Sequence, residues 1–229
     1  MIDMIEYEQI ETQMRGLANR VSEQLRDALI AKGSASLVVP GGSTPLPFLQ
    51  ELSKKNLAWE KICVFLTDER FVPTTSDRSN TRLVRDALIQ NKAVNCQFFP
   101  FWHDDLTPNE LAQKLGEDIA NMGPFDVCVL GMGADMHTAS LFPSMDGLNE
   151  ALMDPEGRKI LAVHPSSQDE VRLTMTAPML RASRHLHLLI TGAEKRIALN
   201  RALHTQNVAL APIKALMTAH NPIQVHFSY

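Results

Sequence analysis

Ala35-Ser-Leu-Val-Val-Pro-Gly-Gly-Ser-Thr-Pro-Leu-Pro-Phe-Leu-Gln50 passes from an apolar run, through two adjacent glycines, into a helical pattern. Ala35–Val39 has the length and composition of a buried strand. Pro40-Gly-Gly-Ser-Thr-Pro45 interrupts it, and Leu46–Lys54 then carries apolar residues at helical spacing, with Pro45 suited to the first helical position and Thr44 to its cap. A buried strand turning directly into a helix is the repeating unit of an α/β sheet.

Upstream, Ile10, Met14, Leu17, Val21, Leu25 and Leu29 recur every three or four residues, with Glu6, Glu8 and Glu11 at the start and Lys32-Gly33 at the end. This is an amphipathic helix whose charges suit its dipole and whose glycine stops it. Downstream the alternation continues with strand Ile62–Thr67, a polar loop through Ser79, helix Asn80–Gln90 and strand Cys96–Pro100. The capping signal Thr107-Pro-Asn-Glu110 opens a helix to about Asn121, and the nearly all-apolar Phe125–Gly131 reads as a strand covered on both faces. Strands are expected again at Lys159–Val163, Val171–Met175, His185–Thr191 and Gln224–Phe227, and helices near Thr176–Ala182 and Ala193–His204. No internal repeat or linker interrupts the pattern, so it predicts one α/β domain over residues 1–229 with a largely parallel sheet. Such sheets bind ligands beyond the carboxyl ends of their strands, and the loops after the strands are where chemistry is expected.

The chain has 229 residues, 45% hydrophobic and 21% charged, with 22 Lys and Arg against 26 Asp and Glu, a formal net charge of −4. Collagen-like, disordered and disulfide-scaffold classes are excluded. The acidic balance argues against nucleic acid or an anionic membrane as partner, because those call for a basic field. It leaves room for a small anion held by a few local cations. Cys63, Cys96 and Cys128 lack metal-type spacing and read as buried thiols of a reducing compartment. The acidic N-terminus lacks the pattern of a signal peptide, and no run of about 18 apolar residues suits a membrane span. A cytoplasmic protein is expected.

Four constellations follow strands. Gly41-Gly42-Ser43-Thr44 offers backbone N–H groups at a helix start and two hydroxyls, a site for a phosphate. It lacks the Gly-Lys-Ser/Thr ending of a nucleoside-triphosphate loop, and Pro45 stands where a nucleophile elbow around Ser43 wants glycine. Thr67-Asp68-Glu69-Arg70 ends an apolar strand in three charges. Asp77-Arg78-Ser79-Asn80 opens a helix, with a cap from Ser79 or Asn80 and Arg78 toward the cleft. In Gly131-Met-Gly-Ala-Asp135-Met-His137-Thr-Ala-Ser-Leu-Phe142-Pro143, Met136 occupies the last glycine position of a dinucleotide fingerprint, which speaks against such a cofactor. Asp135 and His137 instead suit a general base with a carboxylate that fixes its tautomer. Arg172 on a strand and Lys195 at a helix start are a common way to complete a phosphate site. Neither His103-Asp-Asp105, which precedes a helix cap, nor His185 with His187, which lack a third ligand, makes a metal site.

Gly41-Gly-Ser-Thr-Pro45, Asp68-Glu-Arg70, Ser79-Asn80, the Gly131–Pro143 run, Arg172-Leu-Thr174 and Gly192-Ala-Glu-Lys195, in this order, resemble the 6-phosphogluconolactonase family. The likeness spans about residues 35 to 200, and His137-Thr-Ala-Ser-Leu-Phe-Pro143 is its most specific part. It implies a Rossmann-like three-layer α/β/α fold shared with glucosamine-6-phosphate deaminases. It also implies hydrolysis of 6-phospho-D-glucono-1,5-lactone, a small sugar-phosphate lactone, in the pentose phosphate pathway without cofactor or metal. The deaminases resemble the chain at the Gly-Ser-Thr loop, Asp68, Asp135, His137, Arg172 and Lys195, but carry Glu where Phe142 stands here, which favours the lactonase. A non-catalytic sugar-phosphate sensor is a further alternative; the first helix leads straight into the core strand, leaving no room for a helix-turn-helix. The family usually has glycine at Met136, a place where glycine often supplies positive φ.

The resemblance assigns His137 as the base that activates water, with Asp68 and Asp135 orienting polar groups and one of them touching His137. Arg70 is expected to stabilise charge on the lactone oxygen, and Gly42, Ser43, Thr44, Arg172 and Lys195 to hold the 6-phosphate.

Overall fold

The computed structural model describes residues 2–154, 156–165, 170–218 and 222–229. Its strands are β1 (Ile2–Tyr7), β2 (Ala35–Val39), β3 (Ile62–Leu66), β4 (Asp68–Arg70), β5 (Gln97–Phe98), β6 (Val127–Leu130), β7 (Ile160–Val163), β8 (Arg172–Met175), β9 (His185–Thr191) and β10 (Ile223–Ser228). The helices are α1 (Ile10–Lys32), α2 (Leu46–Ser53), α3 (Asn80–Ala87), α4 (Pro108–Asp118), α5 (Leu148–Met153), α6 (Ala177–Arg181) and α7 (Ala193–His204), joined by short 3-10 turns.

Seven strands form one sheet in the order β1-β10-β9-β6-β2-β3-β5, parallel at every pairing. Helices flank it. β2 and β6 are buried at every residue, because helices cover what an apolar parallel strand cannot show to water. α1 buries Met14, Leu17, Val21 and Leu25 and packs against α2, β2 and β10. From β2 the chain moves outward through β3 and β5 on one side, then returns to β6 and proceeds through β9 and β10 on the other. The order therefore reverses between β2 and β6, and the loops that follow these neighbours diverge into a crevice at their carboxyl ends.

A second sheet, β4-β8-β7, is antiparallel. Thr67 joins it to the first: its N–H donates to the Val39 carbonyl at 2.9 Å, and its carbonyl accepts from the Met175 N–H at 2.9 Å. This corrects the expectation that the residues after β3 are loop. Asp68–Arg70 is a strand because β8, a hundred residues on, supplies its hydrogen bonds, a partner that local sequence does not announce.

The first strand shares that cause, and other boundaries differ as well. Ile2–Tyr7, expected to lead into the first helix, is an edge strand paired with β10 in register Ile2↔Ile223 to Tyr7↔Ser228. α5 was not expected at all. α2 begins one residue later than predicted, with Pro45 at the boundary and no side-chain cap, so Thr44 does not cap it. α3 ends at Ala87 and β5 shrinks to Gln97–Phe98. The capping box at Thr107 and Glu110 is complete. Cys128 is buried, but Cys63 and Cys96 are partly exposed, and all three are free.

Behind the sheet, Tyr7, His226, His187 and Gln24 form one hydrogen-bonded chain. Tyr7 Oη lies 2.8 Å from His226 Nδ1, His226 Nε2 3.1 Å from His187 Nδ1, and His187 Nε2 2.7 Å from Gln24 Oε1. An acceptor at the Gln24 end and a hydroxyl donor at the Tyr7 end satisfy every ring nitrogen with both imidazoles neutral. Burial holds His226 down to about 4 and His187 well below the usual histidine range. His187 is thus a packed core residue.

Candidate active site

The crevice beyond β2 and β6 encloses about 270 Å³ and is lined by Gly42, Ser43, Thr44, Asp68, Arg70, His137, Arg172 and Lys195. Eight of the residues singled out in the sequence meet there. Asp135, the ninth, stands behind His137 and does not line the cleft.

The loop after β2 supplies the first wall. Gly42 has φ 99°, a region open to glycine at little cost. Gly41 answers to space: a Cβ there would sit 1.8 Å from Asn80 Oδ1. Asn80 is not the cap of α3, a role taken by Ser79, whose Oγ accepts from the Arg82 N–H at 3.2 Å. Its carboxamide instead donates to the Asp68 carbonyl at 2.8 Å, and the residue joins the cleft lining.

The small sheet forms the roof. Strand alternation turns Asp68 and Arg70 to one face and Glu69 to the other. Glu69 is fully buried and accepts from the N–H groups of Arg70, Asn80 and Thr81 at 2.8, 2.7 and 2.7 Å and from the Ser79 hydroxyl at 3.1 Å. Burial pushes its carboxyl up, against the pull of those bonds. It fastens β4 to the start of α3. The sequence reading gave it no role; its middle position in Asp-Glu-Arg was the available signal.

Arg70 lies directly opposite Arg172 in the β4–β8 ladder, and Asp68 opposite Thr174. Like charges facing across a strand pair repel, and the carboxylates of Asp68 and Glu170 offset this at Arg172. Arg172 is buried; desolvation lowers its pKa, Asp68 opposes that fall and Arg70 adds to it. Arg70 Nη1 donates to the Arg78 carbonyl at 2.5 Å, while its Nε is buried with no hydrogen-bond partner among the described residues. Arg78, expected toward the cleft, is exposed and paired with Glu170 at 2.7 Å instead. Lys195 stands in the first turn of α7, just beyond β9.

The loop after β6 carries the imidazole. Met136 N–H donates to the Gly133 carbonyl at 3.0 Å and Gly133 N–H to the His137 carbonyl at 2.9 Å, closing a tight turn. Met136 completes this turn at φ 70° with its side chain buried. The left-handed backbone is thus kept without glycine, at a cost of about 1 kcal/mol. Asp135 Oδ1 lies 2.5 Å from His137 Nδ1 and accepts from the His137 N–H at 3.2 Å. Burial raises the Asp135 carboxyl, but the bond and charge of His137 outweigh it and hold it below the usual carboxylate range. The pair lies over Gly133, where a Cβ would come within 2.1 Å of His137 Nδ1 and 2.3 Å of Asp135 Oδ1.

Asp68 makes no hydrogen bond to His137. Its oxygens accept from Thr67 Oγ1 at 2.7 Å and from Ser140 Oγ at 2.6 Å. Ser140 N–H also donates to Thr174 Oγ1 at 3.2 Å, so the small sheet grips the His137 loop. Phe142, used in the sequence to tell lactonase from deaminase but given no contact in the site, lies under the imidazole with ring centroids 4.2 Å apart.

The geometry brings together an imidazole hydrogen-bonded to a carboxylate, an aromatic ring beneath it, three cationic side chains and a glycine loop ahead of a helix. Among the described residues, no group of three or more His, Cys, Asp or Glu is arranged to hold a metal ion. Among the described residues, no helix is long and apolar enough to cross a membrane.

Comparison with known proteins places the whole chain among related sequences and structures. The model of the family described as glucosamine-6-phosphate isomerases/6-phosphogluconolactonase matches residues 8–225. A protein of Rhizobium meliloti named 6-phosphogluconolactonase is 40% identical over 214 residues, covering 93% of this chain and 92% of that protein. One of the same name from Pseudomonas aeruginosa is 40% identical over 217 residues, 94% of this chain and 90% of the other. The crystal structure of a 6-phosphogluconolactonase from Shewanella baltica OS155 superimposes with a TM-score of 0.96 at 35% identity, covering 100% of this chain and 98% of that one. The chain belongs to the glucosamine-6-phosphate isomerase/6-phosphogluconolactonase family.

Proposed function

We propose that the chain hydrolyses 6-phospho-D-glucono-1,5-lactone to 6-phospho-D-gluconate, in the oxidative pentose phosphate pathway, by attack of a His137-activated water on the lactone carbonyl. The observation that carries the mechanism is the His137 imidazole lining the cleft with the Asp135 carboxylate on its Nδ1. With Asp135 on Nδ1, the proton of a neutral imidazole is held there and Nε2 keeps its lone pair for a water. Water oxygen bonds to C1 as Nε2 takes its proton, and negative charge develops on the carbonyl oxygen. The C1–O5 bond then breaks and His137 returns the proton to O5. Asp135 stabilises the transient imidazolium.

Arg70, a cationic side chain lining the cleft, is assigned to the developing oxyanion. Gly42, Ser43, Thr44, Arg172 and Lys195 are assigned to the 6-phosphate, whose binding orients the ring. Asp68 acts on the Ser140 loop and on the charge of Arg172, rather than on His137. The contributing residues run from Gly42 to Lys195, so the chain works as one catalytic domain. Its free cysteines suit a reducing cytoplasm.

The family's description covers two activities, and the relatives named above carry the lactonase name. Phe142 favours the same choice, because it leaves no carboxylate under His137 to move protons on a sugar carbon. The test is acid release from freshly prepared lactone in a pH-stat, corrected for spontaneous hydrolysis, beside ammonia release from glucosamine 6-phosphate. Lactone turnover without ammonia is expected, and His137→Ala should abolish most of it. Ammonia release, or full turnover by His137→Ala, would overturn the proposal.

A further inference from the structure

Phe142 is 5% exposed and touches two parts of the site at once. The His137 ring stacks on it at 4.2 Å and 24° between planes. The Arg172 guanidinium carbon lies 5.5 Å from the centre of the same ring. Phe142 itself is set by the short loop from His137, in which Leu141 N–H donates to the Thr138 carbonyl at 3.0 Å and Ser140 is held by Asp68 and Thr174. The proposed base and one of the proposed phosphate cations therefore share a single aromatic support, although they come from elements 35 residues apart in sequence (137 against 172).

We propose that Phe142 is a positioning residue that couples the anion clamp to the base. Its ring fixes the distance between Arg172 and His137, so that a substrate anchored through its phosphate presents its lactone carbonyl at Nε2. The ring face is also electron-rich. When His137 takes a proton from water it becomes a cation over that face, and the attraction grows as the transition state forms. An aliphatic residue of similar bulk fills the space and supplies neither effect. This inference rests on the roles proposed above for His137 and Arg172.

The test is steady-state lactone hydrolysis by Phe142→Leu and Phe142→Tyr, alone and with Arg172→Ala, alongside thermal unfolding of each. Phe142→Leu is expected to lower kcat about 10-fold and raise KM several-fold, the size of a lost cation–π contact with a small misplacement of the base. Phe142→Tyr, which keeps the ring, should recover most of both. In the Arg172→Ala background Phe142→Leu should still lower kcat but no longer change KM. Phe142→Met serves as the ring-free variant if Phe142→Leu does not fold. Wild-type kcat and KM without the ring would overturn the proposal. So would equal losses in the Leu and Tyr variants that track only a lowered Tm. His137→Ala and Arg172→Ala alone separate the two levels: if either is silent, the underlying roles fail; if both act as expected and the ring is dispensable, only the coupling fails.

Discussion

Gly133→Ala isolates the placement of the base from every other contribution. Alanine adds one methyl group at a position whose backbone lies outside the left-handed region, so the main chain accepts it. Space does not: the Cβ would stand 2.1 Å from His137 Nδ1 and 2.3 Å from Asp135 Oδ1, whereas ordinary contact begins at 3.4 Å. To restore even the 3.0 Å that real Cβ contacts keep, one or both side chains must move by about 1 Å. Both side chains are partly exposed, His137 by 30% and Asp135 by 49%, and can shift outward, so folding should suffer little. Catalysis should suffer much more, since misplacement by about 1 Å costs on the order of 100-fold. The expected outcome is a kcat reduced about 100-fold, a KM changed less than a few-fold and a Tm within a few degrees of wild type. Initial rates on fresh lactone, with thermal unfolding by circular dichroism, measure all three. An alanine variant within twofold of wild-type kcat would mean that the imidazole does not rest over Gly133 in the working enzyme, and the reasoning from His137 would fall.

Two further expectations concern the anion site and the core. Arg172→Ala should raise KM by at least about 10-fold, the loss of one charge-assisted contact, while kcat falls less; an unchanged KM would remove Arg172 from the phosphate site. The Tyr7–His226–His187–Gln24 chain makes stability depend on pH. His226 is neutral in the fold down to about 4 but titrates near 6.5 when unfolded. Its contribution is therefore full above 6.5 and is lost as pH falls through that value toward 4. Between pH 7.5 and 5 the loss from His226 alone is about 2 kcal/mol, with His187 adding in the same direction. Urea unfolding at the two pH values measures it, and an imidazole signal of His226 titrating near 6.5 in the native protein would contradict it.

The difference between legible and hidden parts follows from the range of the interactions. Ala35–Val39 and Phe125–Gly131 announce buried strands by composition, and α1 and α4 announce themselves by periodicity, a glycine stop and a capping box. Those signals are local, so the parallel α/β layout was readable from the chain. β1 and β4 were not, because each is a strand only by virtue of a partner far along the chain, β10 and β8. Cleft membership was largely readable too, because residues placed directly after strands of a parallel sheet converge at its carboxyl edge.

By itself, then, the sequence determined the fold class, the edge of the sheet that carries the site and most of the residues gathered there. Only the tertiary structure decided which carboxylate holds His137. Asp135 reaches it within one tight turn, while Asp68, on β4, is taken up by Thr67 and Ser140. It also decided that Arg70 faces Arg172, that Glu69 turns away, and that the Phe142 ring contacts both His137 and Arg172. Spacing along a chain sets which face of its own element a residue occupies; which other element meets that face is settled only when the strands pair.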